Sequence, residues 1–170
     1  RLIGGGISVT KGRMRYYIDT FGCQMNVRDS DEMADALRRA GYTPAAVPGD
    51  ADLILVNTCT VRQKAAHKGM SAVGRYTALK RTRPSLIVGA CGCHAQEAGG
   101  RICEEIKGVD LVVGPDAKHL IAALVEERKT TRKPVIVTCI DGAEHIAENT
   151  PRPRQADGPT ALVSIMRGCG

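Results

Sequence analysis

Leu53-Ile54-Leu55-Val56-Asn57-Thr58-Cys59-Thr60-Val61-Arg62 changes character twice. Four apolar, partly β-branched side chains come first, then a polar step around a cysteine. From Val61 the chain takes on a texture that stays helix-like to Leu79. An apolar run so short and continuous fits a buried strand better than a half-exposed one. The same texture recurs at Tyr16–Phe21, Leu86–Val88, Leu111–Val113 and Val135–Val137.

Between these runs lie helix-like stretches. Asp29 and Ser30 read as caps before Met33, Ala34, Leu37 and Ala40, and Gly41 stands where that helix should stop. Val61–Leu79 is weakened as a helix by Gly69 and Gly74. Glu97–Ile106 and Ala117–Glu127 read as two more, the latter with Leu120, Ile121, Leu124 and Val125 on one stripe. Strand followed by helix, four times over, is the signature of βαβ units with right-handed crossovers. The expected fold is α/β: an open, mostly parallel sheet with helices on both faces, a three-layer sandwich of the Rossmann or flavodoxin kind.

The sequence has 170 residues, 43% of them hydrophobic and 25% charged, which suits a globular domain and excludes disordered and collagen-like classes. No run approaches the roughly 18 apolar residues of a membrane span, and no signal peptide opens the chain. A cytoplasmic setting is therefore expected. The formal net charge of +6 comes from one segment: Arg62, Lys64, Lys68, Arg75, Lys80, Arg81 and Arg83 follow one another with no Asp or Glu between them. Such a patch attracts phosphates, although a solvated helix face would carry the same charges.

The seven cysteines are an odd number, and nothing points to export. Metal or redox chemistry is then a better expectation than a disulfide framework. Cys23, Cys59 and Cys93 each follow an expected strand, so all three fall in strand-to-helix loops. Those loops gather at the carboxyl edge of an open α/β sheet, where ligands bind. Gly22 and Gly92 beside two of them let backbone approach a bulky group. Three thiolates there suit either zinc with an open position or an iron–sulfur cluster one ligand short. Cys91, Cys103 and Cys139 read most simply as core residues. Among the histidines only His94 lies at this place, as a candidate hydrogen-bond donor around it.

Thr20-Phe21-Gly22-Cys23-Gln24-Met25-Asn26, Asn57-Thr58-Cys59-Thr60-Val61-Arg62 and Gly92-Cys93-His94-Ala95-Gln96 resemble the three signatures of the amino-terminal domain of radical-SAM methylthiotransferases. The resemblance runs from about Arg15 to Cys169. It implies that Cys23, Cys59 and Cys93 hold an auxiliary [4Fe–4S] cluster with one iron free. Leu162–Cys169 resembles the strand entering the radical-SAM motif, with Cys169 the first ligand of a second [4Fe–4S] cluster that binds S-adenosylmethionine. On this reading residues 1–13 are a leader or tag, 14–140 the cluster-binding domain, 141–159 a linker and 160–170 a truncated start of the radical-SAM domain. The segment alone would then be inactive. The implied activity of the whole enzyme is insertion of a methylthio group at C2 of isopentenyl-adenosine next to the anticodon, the auxiliary cluster supplying sulfur.

The implied partners are the tRNA anticodon stem-loop and a sulfur donor, and the enzyme is expected to be a monomer. Family branches acting on threonylcarbamoyl-adenosine in tRNA or on a ribosomal protein are alternatives, as is a stand-alone iron–sulfur or sulfur carrier. Asn26 and Asn57 are candidates for hydrogen bonds to cluster or substrate, with turn formation the other reading. Arg62, Lys64, Lys68 and Arg75 are candidate RNA contacts through phosphate.

Overall fold

The computed structural model describes residues 13–138. Cys139, His145, Cys169, the expected linker 141–159 and the segment 160–170 lie outside the described residues, as do residues 1–12 of the expected leader. In chain order the elements are β1 (Arg15–Phe21), α1 (Gln24–Arg39), β2 (Thr43–Pro44), β3 (Leu53–Thr58), α2 (Gln63–Ala78) and β4 (Ile87–Gly92). They continue with α3 (Cys93–Ala98), α4 (Arg101–Glu105), β5 (Leu111–Val113), α5 (Ile121–Thr131) and β6 (Val135–Val137). The six strands form one sheet in the order β2-β1-β3-β4-β5-β6, and every pairing is parallel.

Each residue of β3 and β4 is buried, which is why those runs are unbroken by polar alternation. Met33 and Leu37 of α1 join Ile121, Leu124 and Val125 of α5 in the core on one face. Ala72 and Val73 of α2 join Ala95 of α3 and Ile102 of α4 on the other. The expected α/β sandwich is therefore the observed one.

Local boundaries differ from the expectation in instructive ways. Helix α1 starts at Gln24, with Cys23 as its N-cap, ahead of the Asp29 and Ser30 expected to cap it. Both are buried inside the helix: Lys118 pairs with the Asp29 carboxylate, and Ser30 accepts a hydrogen bond from Asn57. They are polar because of partners distant in sequence. The expected helix Glu97–Ile106 is two short helices, broken where Gly99 takes a φ of 52°. A 3₁₀ turn over Pro115–Leu120 precedes α5, which therefore begins at Ile121. Strand β2, two residues long, is too short to leave a periodic trace.

Asp110 closes the far side of the sheet. Its buried carboxylate lies 2.7 Å from both Lys80 and Arg128 and accepts a 2.8 Å bond from the Val88 N–H. A buried charge so surrounded is compensated, and removing either cation would leave its desolvation only partly offset.

Helix α2 lies close over the end of β3. A Cβ built on Gly69 would overlap the Thr58 Cγ2 methyl, whereas one on Gly74 would meet nothing within 4 Å. Gly69→Ala should thus lower the free energy of unfolding by about 1–3 kcal/mol. Gly74→Ala should raise it by about 0.5–1 kcal/mol through helix propensity. Urea denaturation of the two variants checks this, and equal shifts in the same direction would contradict the packing described.

Candidate metal centre

The strand order reverses direction between β1 and β3, since the chain steps outward to β2 and then builds the rest of the sheet on the other side. A crevice at the carboxyl ends of strands flanking such a switch point is where open α/β sheets bind ligands, as in the flavodoxin-like order. Phe21 pairs with Thr58 and Thr58 with Gly92, so β1, β3 and β4 end level with one another. Cys59 and Cys93 are the next residues after their strands, and Cys23 follows β1 by two. The three cysteines thus leave one edge at three adjacent positions. Cys59 is buried, while Cys23 and Cys93 are half-buried.

The glycines let the loops approach. Gly92 has a φ of 92°, and a Cβ on it would stand 2.5 Å from the Thr58 carbonyl oxygen. A Cβ on Gly22 would be 2.7 Å from Cβ of Cys59. Neither position accommodates a side chain without moving the neighbouring cysteine loop.

Two asparagines tie these loops together. Asn26 and Asn57 are 1% and 0% exposed, so their amides must find protein partners. Asn26 Nδ2 donates to Asn57 Oδ1 at 3.2 Å and to the Thr58 carbonyl at 3.3 Å. Asn57 Nδ2 donates back to the Asn26 carbonyl at 2.8 Å and to Ser30 Oγ at 3.0 Å. Asn26 Oδ1 accepts from the Cys23 N–H at 3.2 Å and stands 3.4 Å from Cys23 Sγ. The network continues from Ser30 Oγ to Thr20 Oγ1 at 2.8 Å, and separately from Thr58 Oγ1 to the Cys91 carbonyl at 3.1 Å. β1, α1, β3 and β4 are bound to one another at the height of the cysteines. Both asparagines spend their hydrogen bonds on the scaffold, and Asn26 alone reaches a cysteine.

Cys23 caps α1, whose first turn carries no acidic residue. Cys91 is 1% exposed and belongs to the apolar cluster that includes Met33, Leu37 and Leu111. Burial pushes its thiol up to about 12, with Asp29 adding to the effect. Cys103, on α4, packs half-buried against the other apolar cluster. His94 follows Cys93 on α3 and is half-buried. Arg62, Lys64, Lys68 and Arg75 are exposed on and just before α2.

Among the described residues no three His, Cys, Asp or Glu side chains converge closely enough to hold a single metal ion. What the fold brings together is the backbone of the three loops. Val61, two residues after Cys59, is 70% exposed, and Met25, two residues after Cys23, is exposed as well.

Asn57→Ala would take from the Asn26 side-chain amide its Asn57 Oδ1 acceptor, leaving it the Thr58 carbonyl, and from the Asn26 carbonyl its side-chain donor, and should cost about 2–3 kcal/mol of stability. Ser30→Ala, at the margin of the network, should cost about 1 kcal/mol. Denaturant titration of both variants measures the difference; an Asn57→Ala cost no larger than that of Ser30→Ala would refute the clamp.

The family model described as "Uncharacterized protein family UPF0004" matches residues 15–114. The chain is 43% identical over 157 residues to the tRNA-2-methylthio-N(6)-dimethylallyladenosine synthase of Sulfurihydrogenibium sp. (strain YO3AOP1), covering 92% of this chain and 36% of that protein. It is 44% identical over 154 residues to the enzyme of the same name from Dichelobacter nodosus (strain VCS1703A), covering 90% and 33%. Against that of Ralstonia nicotianae (strain ATCC BAA-1114 / GMI1000) the identity is 44% over 156 residues, covering 91% and 34%. The chain spans about a third of the length of these curated relatives.

Proposed function

The chain belongs to the UPF0004 family, the amino-terminal domain of methylthiotransferases, and on that premise we propose that it is the cluster-binding domain of a tRNA 2-methylthio-N6-dimethylallyladenosine synthase. The observation that carries the proposal is the level ending of β1, β3 and β4, which delivers Cys23, Cys59 and Cys93 to one edge at the switch point.

The residues there fit an iron–sulfur cluster. A polynuclear cluster takes its thiolates on different irons, so its ligands stand farther apart than those of one ion. Three separated cysteine loops suit that better than a single tetrahedral zinc, which usually draws two ligands from one tight turn. Gly22 and Gly92 let the three cysteine loops close on one another, since a Cβ on either would meet Asn26, Asn57, Cys59 or the Thr58 backbone. Thr60 Oγ1, one residue past Cys59, is buried without a partner among the described residues, a donor left over for a group at this edge.

Bound by three thiolates, a [4Fe–4S] cluster supplies an open iron and the sulfur that becomes the methylthio substituent. The chain's own residues do the rest. Cys23, Cys59 and Cys93 hold the group, and Asn26 fixes the Cys23 loop by taking its N–H. Asn57 holds the Cys23 loop in register with the Cys59 loop through Asn26. The neutral, packed thiol of Cys91 stands outside the ligand set. The protein's part is orientation and tuning while the cofactor performs the chemistry. A second cluster on Cys169 with S-adenosylmethionine, a sulfur donor, a tRNA substrate and a cytoplasmic setting belong to this proposal for the whole enzyme. Among the described residues no helix is long and apolar enough to cross a membrane.

Anaerobic reconstitution of the chain should yield about four irons for the auxiliary site. Cys23→Ala, Cys59→Ala and Cys93→Ala should each abolish most of that iron, while Cys91→Ala and Cys103→Ala retain it. Iron and sulfide analysis of the five variants is the check, and equal loss in Cys103→Ala and Cys23→Ala would sink the ligand assignment.

A further inference from the structure

A groove of about 460 Å³ lies between α2 and the outer part of β1, lined by Phe21, His67, Lys68, Ser71 and Arg75. Its volume is in the range of ligand-sized clefts. It exists because β2 pairs only with Arg15 and Tyr16, so no strand extends the sheet beside the rest of β1. Strand alternation turns Tyr17 and Phe21 toward the α2 face, where both pack at the margin of the core. Phe21 is the chain's one phenylalanine, half-buried, two residues before Cys23.

On α2, Lys64, Lys68, Ser71 and Arg75 follow at spacings of four, three and four, which places them in one stripe. The three cations are exposed, and none is paired with a carboxylate among the described residues. Like charges at this spacing repel and weaken the helix that carries them, so the stripe has no internal use. Other cations of the same segment do have one. Lys80 neutralises Asp110, and Arg83 donates to the carbonyls of Gly49 and Pro48. Asp19, on the groove's side of β1, is itself engaged by the Tyr76 hydroxyl at 2.7 Å. The result is a cationic wall with an apolar ring at the end nearest the cysteines.

We propose that this groove is a track for the backbone of single-stranded RNA leading to the metal centre: Lys68 and Arg75 on its wall, and Lys64 on the same stripe just beyond it, take phosphates, and one unpaired base rests on Phe21. The choice of RNA rests on the methylthiotransferase reading above; the charge pattern and the ring define the surface. Phosphate contacts position a strand without reading its sequence, and an aromatic face accepts any base.

Fluorescence anisotropy of a labelled anticodon stem-loop RNA on the chain, repeated across salt concentrations, tests this. Lys68→Ala/Arg75→Ala should weaken binding by roughly ten-fold and flatten the slope of log Kd against log salt by about 1.4, the value for two single-strand phosphate contacts. Lys68→Arg should bind as the parent does. Phe21→Leu should weaken binding about five-fold with the salt slope unchanged. A double variant within about two-fold of the parent at the same slope, or a parent that binds no RNA, would overturn the track. Iron per chain, measured on the same preparations, separates the two ideas. Iron retained with RNA binding indifferent to the stripe defeats the track alone, whereas absence of iron in the parent defeats the reading on which it rests.

Discussion

Asn26 and Asn57 meet side chain to side chain in a place that water does not reach, and the carboxyl edge of the sheet is arranged around that meeting. A buried primary amide left unpaired would cost about 1–3 kcal/mol. The requirement to satisfy two of them fixes where α1 begins and how the Cys23 turn sits against the Cys59 turn. Neither loop can move independently without breaking a hydrogen bond in the dry interior. The same constraint accounts for Gly22 and Gly92, because the space a Cβ would need is filled by these amides and by the Thr58 backbone. A centre held by three ligands from three strands needs this kind of reinforcement. Its ligands share no tight turn, so their relative placement has to come from the scaffold.

Topology contributes the other half. The reversal of strand order falls between β1 and β3, and the parallel register puts β4 beside them. The cysteines then divide by environment. Those beyond the strand ends are at helix starts or loop positions on the edge, Cys23 and Cys93 half-buried and Cys59 buried, while Cys91, still within β4, belongs to the apolar cluster and keeps its proton. Two residues of separation therefore divide a proposed ligand from a packing residue. The cations of α2 divide in the same way, some drawn inward to Asp110 and backbone carbonyls, others left in a row along the groove.

Much of this was legible in the residues. Continuous apolar runs followed by helix-like segments announced the parallel sheet, and the position of each cysteine after a run placed all three at one edge. The start of α1 was not legible, because Asp29 and Ser30 imitate a cap while serving Lys118 and Asn57 from within the helix. A trace was nevertheless present: Cys23 and Asn26 have the three-residue spacing of a capping pair, and Asn26 does bond back to the Cys23 N–H. The break between α3 and α4 was written in Gly99-Gly100. The role of Asn57 could not be read, since a buried strand gives no local reason for an asparagine at its end. Its partners are about thirty residues away in sequence, and no periodicity reports them.

The central claim is that three cysteines from three level strand ends hold one cluster whose remaining iron has no protein ligand. Mössbauer spectroscopy of the chain reconstituted with isotopically labelled iron addresses it directly. The account predicts a [4Fe–4S] spectrum in which one iron site in about four changes its parameters when sulfide or a small thiolate is added, the others staying as they were. Four irons that respond alike, or a mononuclear tetrahedral iron signal, would contradict it.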